Sequence, residues 1–200
     1  GLGDVYKRQV ARRRFEELVS VDANIIESTR PNEGDLIWFP LVNKIFDLTK
    51  ANKDQDHFPI AIQSTPHLIS DRTDFLSGNS DVNPAIAIVE IINTLHNQGA
   101  NLIGISCNTA HAEPIFKEIV TRKPKEVEII HMIHEVAKYI NECFPSAKKI
   151  GILSTTGTFI SNVYPACLSK YGLTGIQVSK EIQLNCINLS LIHISEPTRL

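Results

Sequence analysis

The chain has 200 residues, 42% of them hydrophobic, and a formal charge of −2 at neutral pH. That balance supports a packed core of one domain or one and a half, and gives no basic surface for a nucleic-acid or anionic-membrane partner. The four cysteines, at 107, 143, 167 and 186, show no C-x-x-C pair or zinc spacing, so neither a metal nor a disulfide framework is signalled.

No apolar run approaches the roughly 18 residues needed to span a bilayer. Reduced thiols fit a cytoplasmic protein.

The two ends are expected to be foreign to the fold. One permissible coding of Gly1 to Gln9 has a reverse complement that translates as LSLIHISEP, the residues Leu189 to Pro197. An in-frame inverted repeat resembles a sequencing-library adapter, so residues 1–9 and 189–200 are set apart from fold reasoning. The expected units are a first α/β domain over 10–145 and the start of a second, truncated one over 146–188.

In chain order, Arg12-Arg13-Arg14 with Phe15 and Leu18 reads as a short helix with a solvated basic face, and Trp38, Phe39 and a helix to Leu48 read as core. Asp54-Gln55-Asp56-His57 is a polar turn with too few ligands for a metal. From Pro59 on, short β-branched runs alternate with amphipathic stretches, the rhythm of a parallel sheet. Ile60 to Ser64 is predicted as a strand, followed by the loop Ser70-Asp71-Arg72-Thr73.

Asn83-Pro84 starts a helix in which Ile88, Ile91, Ile92 and Leu95 repeat at three and four residues, and Gly99 stops it. Leu102 to Ser106 is a strand, with a helix through Phe116 to Val120 after it. Glu128 to His131 is a strand and Ile133 to Cys143 a helix, broken by Phe144-Pro145-Ser146. Lys149 to Ser154 and Gly175 to Val178 are strands, joined by one helix from Phe159 to Tyr171 that Gly172 closes.

Cys107 stands where the strand from Leu102 runs out and a helix is predicted to begin, the place where open α/β sheets put their chemistry. Helix N–H groups there favour thiolate over thiol, although a buried free cysteine is also a common core residue. Ser154-Thr155-Thr156-Gly157-Thr158 follows another strand, and its hydroxyls, glycine and helix start suggest an anion nest or simple capping by Thr156 or Thr158. Arg72 offers a planar fork to a carboxylate, unless it pairs with Asp71 on the surface.

In this order, Lys53-Asp54-Gln55-Asp56-His57, Asp71-Arg72-Thr73, Cys107-Asn108-Thr109-Ala110-His111 and Thr155-Thr156-Gly157-Thr158 resemble the aspartate/glutamate racemase superfamily, closest to its aspartate racemase branch. The resemblance runs from about Val42 to Val178. It implies an α/β fold with a three-layer parallel-sheet domain, two similar domains around the site, and racemisation of an acidic amino acid without a cofactor. One cysteine would take the α-proton and a second, on the opposite face, would return one.

By motif match Cys107 would be the first thiol. Asn108, Thr109, Thr156, Gly157 and Thr158 would hold the α-carboxylate and amino group, and Arg72 the side-chain carboxylate. Ser64 and His111 are supporting candidates. The implied partner is a small amino acid, with no nucleic acid, membrane or metal, and the pattern leaves room for a homodimer.

Three features depart from the superfamily's pattern. Glu27 to Asp35 does not match its glycine-rich first loop, Ser70 replaces a common proline, and no cysteine matches its later GCTE-like strand end. The second thiol is therefore expected to be missing and the chain inactive in full racemisation. Competing expectations are hydantoin racemisation, maleate isomerisation or malonate decarboxylation, a non-catalytic amino-acid-binding relative, and a Cys107/His111 hydrolase dyad.

Overall fold

A computed structural model describes residues 38–184. The expectations for Arg12 to Arg14, Glu27 to Asp35, the packing of Trp38 and Phe39, Cys186 and the two ends lie outside the described residues.

Helix α1 (Trp38–Leu48) opens the described chain, and Leu41 on it packs against a buried cluster farther along. Asp54–Asp56 forms a 3-10 turn, with Asp56 accepting from the Asn52 N–H at 3.2 Å. Ile60 to Ser64 does not form the predicted strand. A strand needs a ladder partner for its backbone groups, this run finds none among the described residues, and Ile62 stays exposed.

Helix α2 (Arg72–Leu76) is one short turn and a half, capped by Asp71, whose carboxylate accepts from the Asp74 N–H at 2.9 Å. Helix α3 (Ala85–Asn97) starts where the Asn83 side chain accepts from the Ala85 N–H at 2.9 Å, and it buries Ala85, Ile88, Val89, Ile92 and Leu95. That spacing covers one helical face, as the sequence predicts. Gly99 ends it at φ 98°, a left-handed conformation that side chains resist.

Strand β1 (Leu102–Gly104) leads through the Cys107 segment to α4 (Glu113–Arg122) and back to β2 (Glu128–Ile130), which pairs with β1 in parallel with Ile103 opposite Ile129. Helix α5 (Met132–Cys143) follows. A second parallel pair joins β3 (Lys149–Ile152) to β4 (Thr174–Gln177), with Ile152 opposite Gln177. Between them lie α6 (Thr156–Ser161) and α7 (Val163–Ser169), and α8 (Lys180–Ile182) comes last.

The β1–β2 pair is covered on both faces, which follows from the period-two alternation of its side chains. Ile103 and Ile129 face a core made with Ile88, Ile92, Ile115 and Ile119 of α3 and α4. Leu102 and Ile130 face the other core, where Ile133, Val136 and Ala137 of α5 meet Ile152, Val163 and Leu168. This second core runs across the Phe144–Ser146 break. Burying one such isoleucine contributes about 1.5–3 kcal/mol.

The single helix predicted over Phe159 to Tyr171 is split. Asn162 adopts the left-handed conformation, φ 53° and ψ 22°, between α6 and α7. Pro165 supplies the reason: inside one continuous helix it would lack an N–H for the Ser161 carbonyl and its ring would strike that carbonyl, whereas in the first turn of α7 neither matters. Asparagine is among the few residues that tolerate the left-handed turn. No helix among the described residues is long and apolar enough to cross a membrane.

Candidate active site

Three segments distant in sequence meet in space: α2, the 3-10 turn Thr109–His111, and α6. Gly157 is the point of contact. A Cβ placed there would fall under 3.0 Å from both Thr73 Oγ1 and Thr109 Cγ2. Thus the Asp-Arg-Thr, Cys-Asn-Thr-Ala-His and Thr-Thr-Gly-Thr motifs form one cluster.

The glycine's role differs from the one its sequence suggests. Gly157 has no positive φ, so it does not shape an alternating right- and left-handed anion nest. It is required by close approach. Nor do Thr156 or Thr158 cap the helix. Thr155 holds the N-cap position without a side-chain cap bond, and its hydroxyl donates to Thr158 Oγ1 at 3.4 Å.

Cys107 is half-buried, and its Sγ lies 3.2 Å from Thr109 Oγ1. A full helix does not begin directly after the thiol. The 3-10 turn intervenes, and α4 starts only at Glu113, so the helix-start argument is weaker here than the sequence implies. Asn108 and Thr109 are both buried, and the Tyr164 hydroxyl of α7 donates to Asn108 Oδ1 at 2.9 Å.

His111 turns away from the thiol. Its Nδ1 is 2.8 Å from the Cys107 backbone carbonyl, which can only accept, so Nδ1 carries the proton. Its Nε2 accepts from the Met132 N–H at 3.4 Å. Burial, with the ring 1% exposed, holds its pKa down to about 4. With both nitrogens engaged on backbone and the ring neutral, the Cys107/His111 hydrolase dyad is ruled out; His111 ties the cysteine turn to the start of α5.

Arg72 is half-buried at the start of α2 and makes no ion pair among the described residues. The expected alternative, a surface pair with Asp71, does not form, because Asp71 is occupied as the helix cap. Ser64 lies exposed on the extended segment before the 3-10 turn Pro66–Leu68. Ser154 and Thr158 are buried, and the Ser154 carbonyl accepts from Gln183 Nε2 at 2.7 Å.

The other described cysteines lie elsewhere. Cys167 is 4% exposed, inside the second core, and burial pushes its thiol up to about 11. Its Sγ is 3.3 Å from His134 Nδ1, which also meets Tyr171 Oη at 3.0 Å. Cys143 is exposed at the far end of α5, about 16 Å along the helix from Met132. Among the described residues no group of three histidines, cysteines or carboxylates could hold a metal ion.

Sequence reasoning missed Tyr164, the contact role of Thr73, and the row of rings from His111 through His131 to His134, with centroids 4.7 Å and 4.3 Å apart. Pro165 is the one signal that could have exposed the first of these, since it breaks the helix that would otherwise carry Tyr164 past Asn108.

The Picrophilus torridus aspartate racemase is similar in structure, with a TM-score of 0.61 and 26% sequence identity over 78% of this chain. The match covers 64% of that protein's length. The profile of the Asp/Glu/Hydantoin racemase family matches residues 40–194. With that profile spanning most of the sequence and the three motifs converging on Gly157, the chain belongs to the Asp/Glu/Hydantoin racemase family.

Proposed function

We propose that this sequence serves racemisation of an acidic amino acid, aspartate above others, without pyridoxal phosphate. The observation that carries the reading is the contact of Gly157 with Thr73 and Thr109, which brings side by side the segment carrying Arg72, which makes no ion pair among the described residues, the turn after Cys107 and the Thr156–Thr158 turn. The family and the similarity to an aspartate racemase support it.

In this reading the Cys107 thiolate takes the α-proton and becomes the thiol, and the electron pair left on Cα spreads into the α-carboxylate. An acid on the opposite face then gives a proton to that carbon, which inverts it. Thr109, 3.2 Å from the sulfur, can donate to the thiolate and stabilise it. Asn108, Thr109 and the Thr156–Thr158 turn receive the α-carboxylate and amino group. Arg72 takes the side-chain carboxylate, as a guanidinium fork suits a planar anion.

Neither of the other described cysteines is placed to be the second acid, since Cys167 is sealed in the core and Cys143 sits at the far end of α5. Cys107 by itself is expected to exchange the α-proton of bound L-aspartate with solvent while keeping its configuration. Proton NMR of L-aspartate in deuterium oxide tests this, with Cys107→Ala abolishing the exchange. Arg72→Ala should weaken aspartate about 10- to 100-fold and leave alanine untouched. An unchanged α-proton signal together with no aspartate binding would reject the reading.

A further inference from the structure

We propose that Tyr164 is a positioning residue that fixes which way the Asn108 amide faces, turning its two N–H donors toward the ligand and committing that position to a carboxylate. The proposal rests on the reading above for the ligand's identity, and on geometry alone for the orientation.

An asparagine amide has two orientations of nearly equal shape and opposite hydrogen-bonding character. Left alone, the side chain would present its oxygen or its nitrogen to the ligand. Here the Tyr164 hydroxyl donates to Oδ1 at 2.9 Å, and because a phenol is a stronger hydrogen-bond donor than acceptor it favours the oxygen at that end. The other end, Nδ2, makes no hydrogen bond to any described residue, so its two donors are left for a ligand. Asn108 as a whole is 6% exposed.

The fold goes to some length to place the phenol. Asn108 and Tyr164 are 56 residues apart and sit on different elements. The left-handed Asn162 breaks α6 from α7 directly before Tyr164, and Val163, Cys167 and Leu168 anchor α7 in the second core. Tyr164 itself packs against that core, so the hydroxyl is held by burial of its ring.

Turned outward, the Asn108 N–H groups favour an anion and repel an ammonium, because two donors would face each other. This separates the substrate's carboxylate from its amino group, a discrimination neither Cys107 nor Thr109 can make alone.

The test uses Tyr164→Phe, which removes one oxygen and keeps the ring. Calorimetric titration with L-aspartate should show binding about fivefold to tenfold weaker. In an Asn108→Ala background the same change should cost nothing further, since the amide it orients is gone. Losses that multiply independently in the double variant would overturn the proposal, because a merely structural tyrosine would act regardless of Asn108.

A ligand-free readout separates this from the functional reading. The Asn108 side-chain amide resonances should shift and exchange faster with water in Tyr164→Phe, and unmoved resonances would also overturn it. If wild-type chain binds no aspartate, the functional reading fails, and the NMR comparison still decides the orientation. Should Tyr164→Phe not fold, the wild type decides, since a Tyr164 hydroxyl proton with no coupling or close contact to Asn108 would refute it.

Discussion

Replacing Gly157 by alanine adds one methyl at the junction of three motifs. The new carbon would lie 2.8 Å from Thr109 Cγ2 and likewise under 3.0 Å from Thr73 Oγ1, whereas ordinary contacts begin near 3.4 Å. Two walls must therefore retreat by about 0.5 Å or more, an overpacking that costs about 1–3 kcal/mol. Alanine's better helix propensity offsets about 0.5–1 kcal/mol of this, so a net loss of about 1–2 kcal/mol is expected. Urea unfolding should show the midpoint fall at constant slope.

The strain is specific, and so is its relief. Thr73→Ala removes the oxygen on one wall and Thr109→Ser removes the methyl on the other, so Gly157→Ala combined with both should regain most of the stability lost relative to that double background. Aspartate binding should weaken in the single variant, because Arg72 precedes Thr73 and Cys107 lies two residues from Thr109. A Gly157→Ala chain as stable as wild type, or one that the relieving changes leave equally unstable, would refute the convergence of the motifs at this glycine.

Acid should destabilise the chain through its buried histidines. Burial holds His111 down to about 4, and burial with the nearby His111 and His134 rings holds His131 down to about 3, against 6.5 when unfolded. The unfolded chain binds protons first, so stability is full above pH 6.5 and is lost as pH falls through 4 and then 3. For His111 alone the loss is about 3 kcal/mol. Urea midpoints measured from pH 7.5 to 4 should fall steadily, and a flat profile would show that these rings are not buried neutral.

Thiol labelling should separate the cysteines. Cys143 and Cys107 should react with iodoacetamide in the folded protein at pH 8, with L-aspartate protecting Cys107. Cys167, sealed and with its thiol raised to about 11, should react only after unfolding. Mass spectrometry showing Cys167 labelled as fast as Cys143 would contradict the core assignment.

For several elements the pattern of apolar residues alone was enough to place them. The stretches holding α3 and α5 carry the helical period their burial demands, β1, β2 and β3 fall on short apolar runs, and Gly99 and Gly172 mark chain reversals at positive φ. Cys107 and the Thr156–Thr158 turn stood out as candidates because each follows a strand and crowds polar groups there, and Arg72 because a guanidinium fork suits a carboxylate.

What the sequence could not decide were matters of pairing across distance. Ile60 to Ser64 has a strand's composition, but a strand exists only with a partner. Gly157 reads as part of an anion nest until Thr73 and Thr109 are seen against it. His111 stands one helical turn from a thiol in sequence, yet the backbone of Cys107 and Met132 claims both its nitrogens. Asn108 reaches its tyrosine only because Asn162 and Pro165 turn the chain. Periodicity is a local property and survives in one dimension, whereas close approach, tautomer and amide orientation are set by atoms that only folding brings together.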